Sequence, residues 1–81
     1  MTTTNAGPTV DDITGIVRDV LQRDEIDPDG DLFQQGATSL AYVRVIAEIN
    51  NRWQLSLNGS EVDGEATVVR LTKAAAAAAD A

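Results

Sequence analysis

Apolar residues recur along the chain at helical spacings, and each stripe marks an element. Ile13, Ile16, Val17, Val20 and Leu21 follow one another at steps of three, one, three and one, the signature of an amphipathic helix. Thr9 stands before the stripe as an N-cap, and Asp12 lies three residues on, beside the positive end of the helix dipole. This predicts a first helix from Thr9 to near Arg23, weakened at Gly15 by about 1 kcal/mol relative to alanine. In a second stripe, at about 100° per residue, Tyr42, Val45, Ile46, Ile49 and Trp53 share one arc. Arg44, Glu48, Asn51 and Arg52 lie opposite. The second helix therefore runs from Ser39, read as its N-cap, to about Trp53. Leu40, Val43 and Ala47 fall at the edge of the arc on the Ser39 side, as a half-exposed apolar group. Val68, Leu71 and Ala75 predict a last helix behind the cap Thr67, extended by the alanine run 74–79.

The connections are unequal. Asp24 to Thr38 forms a long loop, with strong turn chemistry at Asp27-Pro28-Asp29-Gly30. Ile26, Leu32 and Phe33 are its apolar points and are expected to pin it to the core. Loops this long in so small a domain are often functional. From Gln54 to Gly59 the chain is a connector with Leu55 and Leu57 alternating inward. Ser60 to Asp63 is expected to make one short helical turn, with Val62 facing in. Residues 1–8 read as a disordered polar tail, 9–79 as the folded domain and 80–81 as its end. The expected fold is all-α: a small four-helix bundle with a long first connection and a short third helix.

Composition narrows the function. The 81 residues are 43% hydrophobic, enough for a globular core, and the aromatics are only Phe33, Tyr42 and Trp53. Without cysteine there is no disulfide scaffold and no thiolate zinc site. Without histidine, no Ser-His or Cys-His catalytic unit exists within the chain. A net charge of −7 opposes nucleic-acid binding and favours partners with Arg and Lys patches. No stretch of roughly 18 apolar residues is present to span a membrane. The polar N-terminus has no apolar signal core, so the reading is of a cytoplasmic monomer, and the termini suggest a freestanding protein.

Several candidate sites reduce to ordinary turns. Asp27, Asp29 and Asp31 alternate as in a calcium loop, but the position that should close on Glu is Thr38. An acidic solvated turn accounts for them. Asn58-Gly59-Ser60 matches the glycosylation pattern and reads as a turn. The pairs Asp11-Asp12 and Asp24-Glu25 have nothing around them to desolvate a carboxylate. Ser39 is different. With no base it is not a nucleophile by itself, but it can accept a group installed by another enzyme. It stands at a helix start, reached by the small residues Gly36 and Ala37, where a phosphodiester would meet free backbone N–H groups. The competing reading is that Ser39 simply caps the second helix of an unmodified helical adaptor.

Asp31-x-Phe33-x-x-Gly36-x-x-Ser39-Leu40 resembles the phosphopantetheine attachment motif of carrier proteins. The likeness is greatest to the peptidyl carrier (thiolation) domains of nonribosomal peptide synthesis. It continues through the second helix, through Arg52-Trp53-Gln54-Leu55-Ser56-Leu57 at its exit, and into Glu65-Ala66-Thr67-Val68-Val69-Arg70-Leu71 at the start of the last helix. The resemblance implies that Ser39 carries 4′-phosphopantetheine taken from coenzyme A, and that aminoacyl, peptidyl or acyl cargo rides on its thiol. The chain would have no catalysis of its own. It implies a phosphopantetheinyl transferase as first partner, an adenylating enzyme that loads the arm, and condensing, tailoring or releasing enzymes that unload it. Leu40, Val43, Arg44, Ala47 and Val62 are the implied docking residues. Thr38 replaces the Asp that many family members place before the serine, and Val62-Asp63-Gly64-Glu65 replaces a more apolar pattern. An acyl carrier for polyketide or fatty acyl groups is the alternative within the family.

Overall fold

The computed structural model describes residues 7–62 and 64–80, and the side chains of Glu61 and Asp80 are left aside. Most of the expected tail, residues 1–6, together with Asp63 and Ala81, lies outside the described residues. Helix α1 spans Val10–Leu21. Thr9 Oγ1 accepts from the Asp12 N–H at 3.2 Å, and Asp12 Oδ2 accepts from the Thr9 N–H at 3.0 Å. This reciprocal pair is a capping box, which fixes the start of the helix from sequence alone. The helix stops two residues before Arg23, because Gln22 turns left-handed at φ 57° and its N–H closes on the Arg18 carbonyl. Helix α2 spans Ser39–Trp53 and α3 spans Val68–Asp80. Thr67 is buried, and its Oγ1 accepts from the Arg70 N–H at 3.1 Å, as its reading as a cap requires.

The three helices converge on an aliphatic core. Ile13, Ile16 and Val17 come from α1, Val45, Ile46 and Ile49 from α2, and Val68, Leu71 and Ala75 from α3. Ile26, Leu32 and Leu57 enter from the connections. Asn50 holds Leu57 in place: its Oδ1 accepts from the Leu57 N–H at 2.8 Å and its Nδ2 donates to the Leu57 carbonyl at 2.9 Å. Gly7 and Pro8, the last residues of the expected tail, are described, and Pro8 is buried. A Cβ placed on Gly7 would lie 3.1 Å from that of Ala79, so the small residues of α3 admit a close neighbour here.

The fold is all-α, with no strand among the described residues. The expected short third helix is a single 3₁₀ turn, Gly59–Glu61, one residue earlier than its spacing suggests. It starts on Gly59 and is followed by the left-handed Gly64, and Asn58 gives it no side-chain cap. A few residues under those conditions do not overcome the entropy of helix nucleation. Phe33 does not pin the loop: Ile26 and Leu32 are buried, but Phe33 is 44% exposed. It follows Leu32 in a tight 3₁₀ turn, Leu32–Gln35, that can send only one of the two inward. Its ring rests on Tyr42, centroids 5.5 Å apart and planes at 47°. No described helix is long and apolar enough to cross a membrane.

Tyr42 is the only tyrosine, and partial burial holds its phenol above its ordinary value of 10.0. Its ring also lies where a Cβ on Gly59 would come within 2.9 Å of Cε2. The folded state keeps this proton longer than the unfolded state. Its share of stability is thus complete below pH 10.0 and is lost as pH rises through the folded value. Tyrosinate absorbance should give a midpoint above 10.0 in the folded protein, falling back to the ordinary value in denaturant.

Candidate functional site

The long loop between α1 and α2 is tied down at both edges. The Leu32 N–H donates to the Ala66 carbonyl at 2.8 Å, and the Val69 N–H to the Pro28 carbonyl at 3.2 Å. Both bonds fasten the loop to the start of α3. Within the loop, Gln35 is the organising side chain. Its Oε1 accepts from the Asp27 N–H at 2.8 Å, and its Nε2 donates to the Asp27 and Gly30 carbonyls, each at 3.1 Å. The Arg23 guanidinium donates to the Gln35 carbonyl. Two of the three aspartate side chains serve the backbone. Asp27 Oδ1 accepts from the Asp29 N–H at 3.0 Å, and Asp31 Oδ1 caps the 3₁₀ turn by accepting from the Phe33 N–H at 2.9 Å. No acidic cluster suited to a metal ion occurs among the described residues.

This frame delivers the chain to Ser39. Gly36 sits at φ 110°, a conformation that favours glycine, and its N–H closes the 3₁₀ turn. The Ala37 N–H returns to the Leu32 carbonyl at 3.0 Å. Thr38 is then extended, at φ −92° and ψ 171°, and is the true N-cap of α2. Its Oγ1 accepts from the Ala41 N–H at 3.1 Å. The expectation that Ser39 is the cap is therefore corrected by one residue. The turn at Gly36 leaves Thr38 as the last non-helical position, and Ser39 is already helical. Ser39 is exposed, and its hydroxyl has no hydrogen-bond partner among the described residues. The backbone N–H groups of Ser39 and Leu40 are likewise unpaired among the described residues, as the first turn of a helix leaves them.

Around this hydroxyl lie large exposed apolar side chains. Leu40 is 70% and Val43 59% exposed. Ala47 and Arg44 are exposed beside them. Val62 is half-buried and packs against the core. Sequence reasoning put Leu40 and Val43 at the edge of the buried arc, and both are exposed; it missed Gln35, whose polar bonds to another turn leave no periodic signal.

The family model for the phosphopantetheine attachment site matches residues 11–75. The chain belongs to that family. No curated protein and no solved structure matches it. The carrier therefore bears 4′-phosphopantetheine covalently, and carriers of this kind work with partner enzymes, a phosphopantetheinyl transferase among them. The arm supplies a thiol, which explains how a chain without cysteine can hold a thioester. The residues present fit the group. An exposed hydroxyl with no other duty stands at the positive end of α2, next to two unpaired N–H donors that favour a phosphodiester.

The division of labour between the two hydroxyls is measurable. Thr38→Ala should cost about 0.5–2 kcal/mol through loss of the cap. Ser39→Ala should change stability by no more than about 0.5 kcal/mol, as a surface substitution that removes no bond. Urea melts of the two variants give the comparison, and equal losses would contradict the capping assignment.

Proposed function

We propose that Ser39 is the attachment residue and that the protein is a peptidyl or aminoacyl carrier of the nonribosomal peptide type. In this reading residues 9–79 form the carrier domain, a monomer working in the cytoplasm of a specialised-metabolite pathway. The observation that carries it is the contrast at the mouth of α2: Thr38 is committed to the cap while Ser39 is exposed and unbonded. The Ser39 oxygen takes the phosphoryl end of the arm from coenzyme A. The pyrophosphate P–O bond of coenzyme A breaks, adenosine 3′,5′-bisphosphate leaves, and the hydroxyl proton passes to a base of the transferase. An adenylating enzyme then loads the thiol, and condensing, tailoring or releasing enzymes remove the cargo. The chemistry is theirs, and the carrier contributes the tether and the surface. Leu40, Val43, Arg44, Ala47 and Val62 are the residues through which it meets them. The lead-in Asp31-x-Phe33-x-x-Gly36 supports the peptidyl type over an acyl carrier for polyketide or fatty acyl groups.

Incubation with coenzyme A, magnesium and a broad-specificity phosphopantetheinyl transferase should add one phosphopantetheine by intact mass. Ser39→Ala should abolish the gain and Thr38→Ala should keep it. A gain that survives in Ser39→Ala, or none with several transferases, overturns the assignment. The mass of cargo-loaded protein isolated from its native host separates the peptidyl reading from the acyl one.

A further inference from the structure

We propose that the trough between α1 and α2 is a docking surface for an acidic, partly apolar segment of a partner enzyme. The idea deepens the carrier reading by naming a partner's chemistry, and rests on it only for the partner being an enzyme.

The first support is the distribution of charge. The chain carries −7, yet between Leu32 and Ser60 its only acid is Glu48, against Arg44 and Arg52. The other acids lie before and after this stretch. The second support is spatial. Two surface hollows adjoin along the α1–α2 seam and share Asp19 and Arg52. Arg18 and Arg23 line one, and Arg44 lines the other. Four of the six cations of the chain thus border one trough. Its own acids are Asp19, Asp24 and Glu48, so the trough is slightly positive while the remainder of the surface is strongly negative.

Arg23 is engaged by the Gln35 carbonyl, but the other three guanidiniums are available. Arg18 and Arg44 make no ion pair or hydrogen bond among the described residues. Arg52 holds Glu48 at 3.6 Å, but both side chains are about half exposed, and such a pair is readily exchanged for another carboxylate. Nucleic acid is a poorer occupant, because the three interspersed acids would face its phosphates.

The third support is Gly15. It lies inside α1, where glycine weakens a helix, and it lines the trough. A Cβ there would meet nothing within 4 Å, so no packing inside the carrier requires the glycine. An approaching partner backbone would. Half-buried Val20 adds an apolar wall. At the far end Arg44 stands one helical turn from exposed Leu40, which makes the trough continuous with the apolar patch beside Ser39.

The test uses the full chain and a short synthetic peptide alternating glutamate with leucine, followed by amide chemical shifts. Shifts should concentrate in residues 15–23 and 44–52 and shrink with added salt. The same peptide with lysine in place of glutamate should leave these residues unmoved. Arg18→Glu with Arg44→Glu should weaken binding at least about tenfold. Gly15→Leu, which leaves every charge in place, should also weaken binding by filling the trough. Shifts confined to Arg70 and Lys73, no shift at all, or indifference to Gly15→Leu would overturn the proposal. So would concentration-dependent shifts without peptide, which would make the occupant a second copy of the chain. The mass gain at Ser39 is read separately, so either result can fail alone.

Discussion

Ile49→Ala should lower stability by about 2–5 kcal/mol, the range for truncating a buried aliphatic side chain. Ile49 is fully buried on the inner face of α2, in one cluster with Ile13, Ile16 and Val17 of α1 and Leu71 and Ala75 of α3. The chain is small, and a domain of this length is held by only about 5–10 kcal/mol in total. The loss is therefore a large share of the whole. Ile49 sits where α2 packs on α1, inside one continuous buried cluster, so little can move to fill the gap. Ile16→Ala, 1% exposed on α1, should behave alike. Val43→Ala is the control: on the same helix but 59% exposed, it should stay within about 0.5 kcal/mol. Urea melts decide the matter, with the midpoint dropping at constant slope. An Ile49→Ala midpoint equal to that of Val43→Ala would contradict the core as drawn.

That contrast between two residues of one helix was readable from spacing. The wheel put Ile49 in the buried arc and Val43 at its edge, because the helical period ties sequence position to direction. Thr9 and Thr67 were equally legible as caps, since a hydroxyl residue before an apolar stripe has a local reason to be there. Legibility failed where neighbours compete. Thr38 and Ser39 are both able caps, and the left-handed turn at Gly36 chooses between them. Under the proposed attachment role that choice matters, because it leaves the Ser39 hydroxyl unbonded. Leu32 and Phe33 are both apolar, and only the tight turn decides which is buried. Gln35 and Asn50 were invisible because each spends its amide on backbone several residues away, a relation no period encodes. The short third element was legible as a single turn, and only its start, at Gly59 rather than Ser60, was misplaced.

Gln35→Ala should loosen the whole connection from Asp24 to Thr38 while the three helices stay folded. The substitution removes three hydrogen bonds that join the 3₁₀ turn to the Asp27–Gly30 turn. The released groups are largely reachable by water, so each lost bond costs its net value of about 0.5–1.5 kcal/mol rather than the full desolvation penalty. The loss is local. The Gly30 N–H, now held on the Asp27 carbonyl at 3.1 Å, should exchange much faster, as should the Asp27 N–H. Core amides near Ile49 should accelerate only by the global loss. Gln35→Glu is the sharper variant. It keeps an acceptor for the Asp27 N–H but cannot donate to the two carbonyls, and it adds a carboxylate next to Asp27. It should be no better than alanine. If Ser39 is the attachment residue, a loosened lead-in presents it correctly for only part of the time. Modification by the transferase should slow in proportion to that fraction. Loop amides exchanging as slowly in Gln35→Ala as in the parent would remove Gln35 from its organising role, because no other side chain among the described residues bridges these two turns.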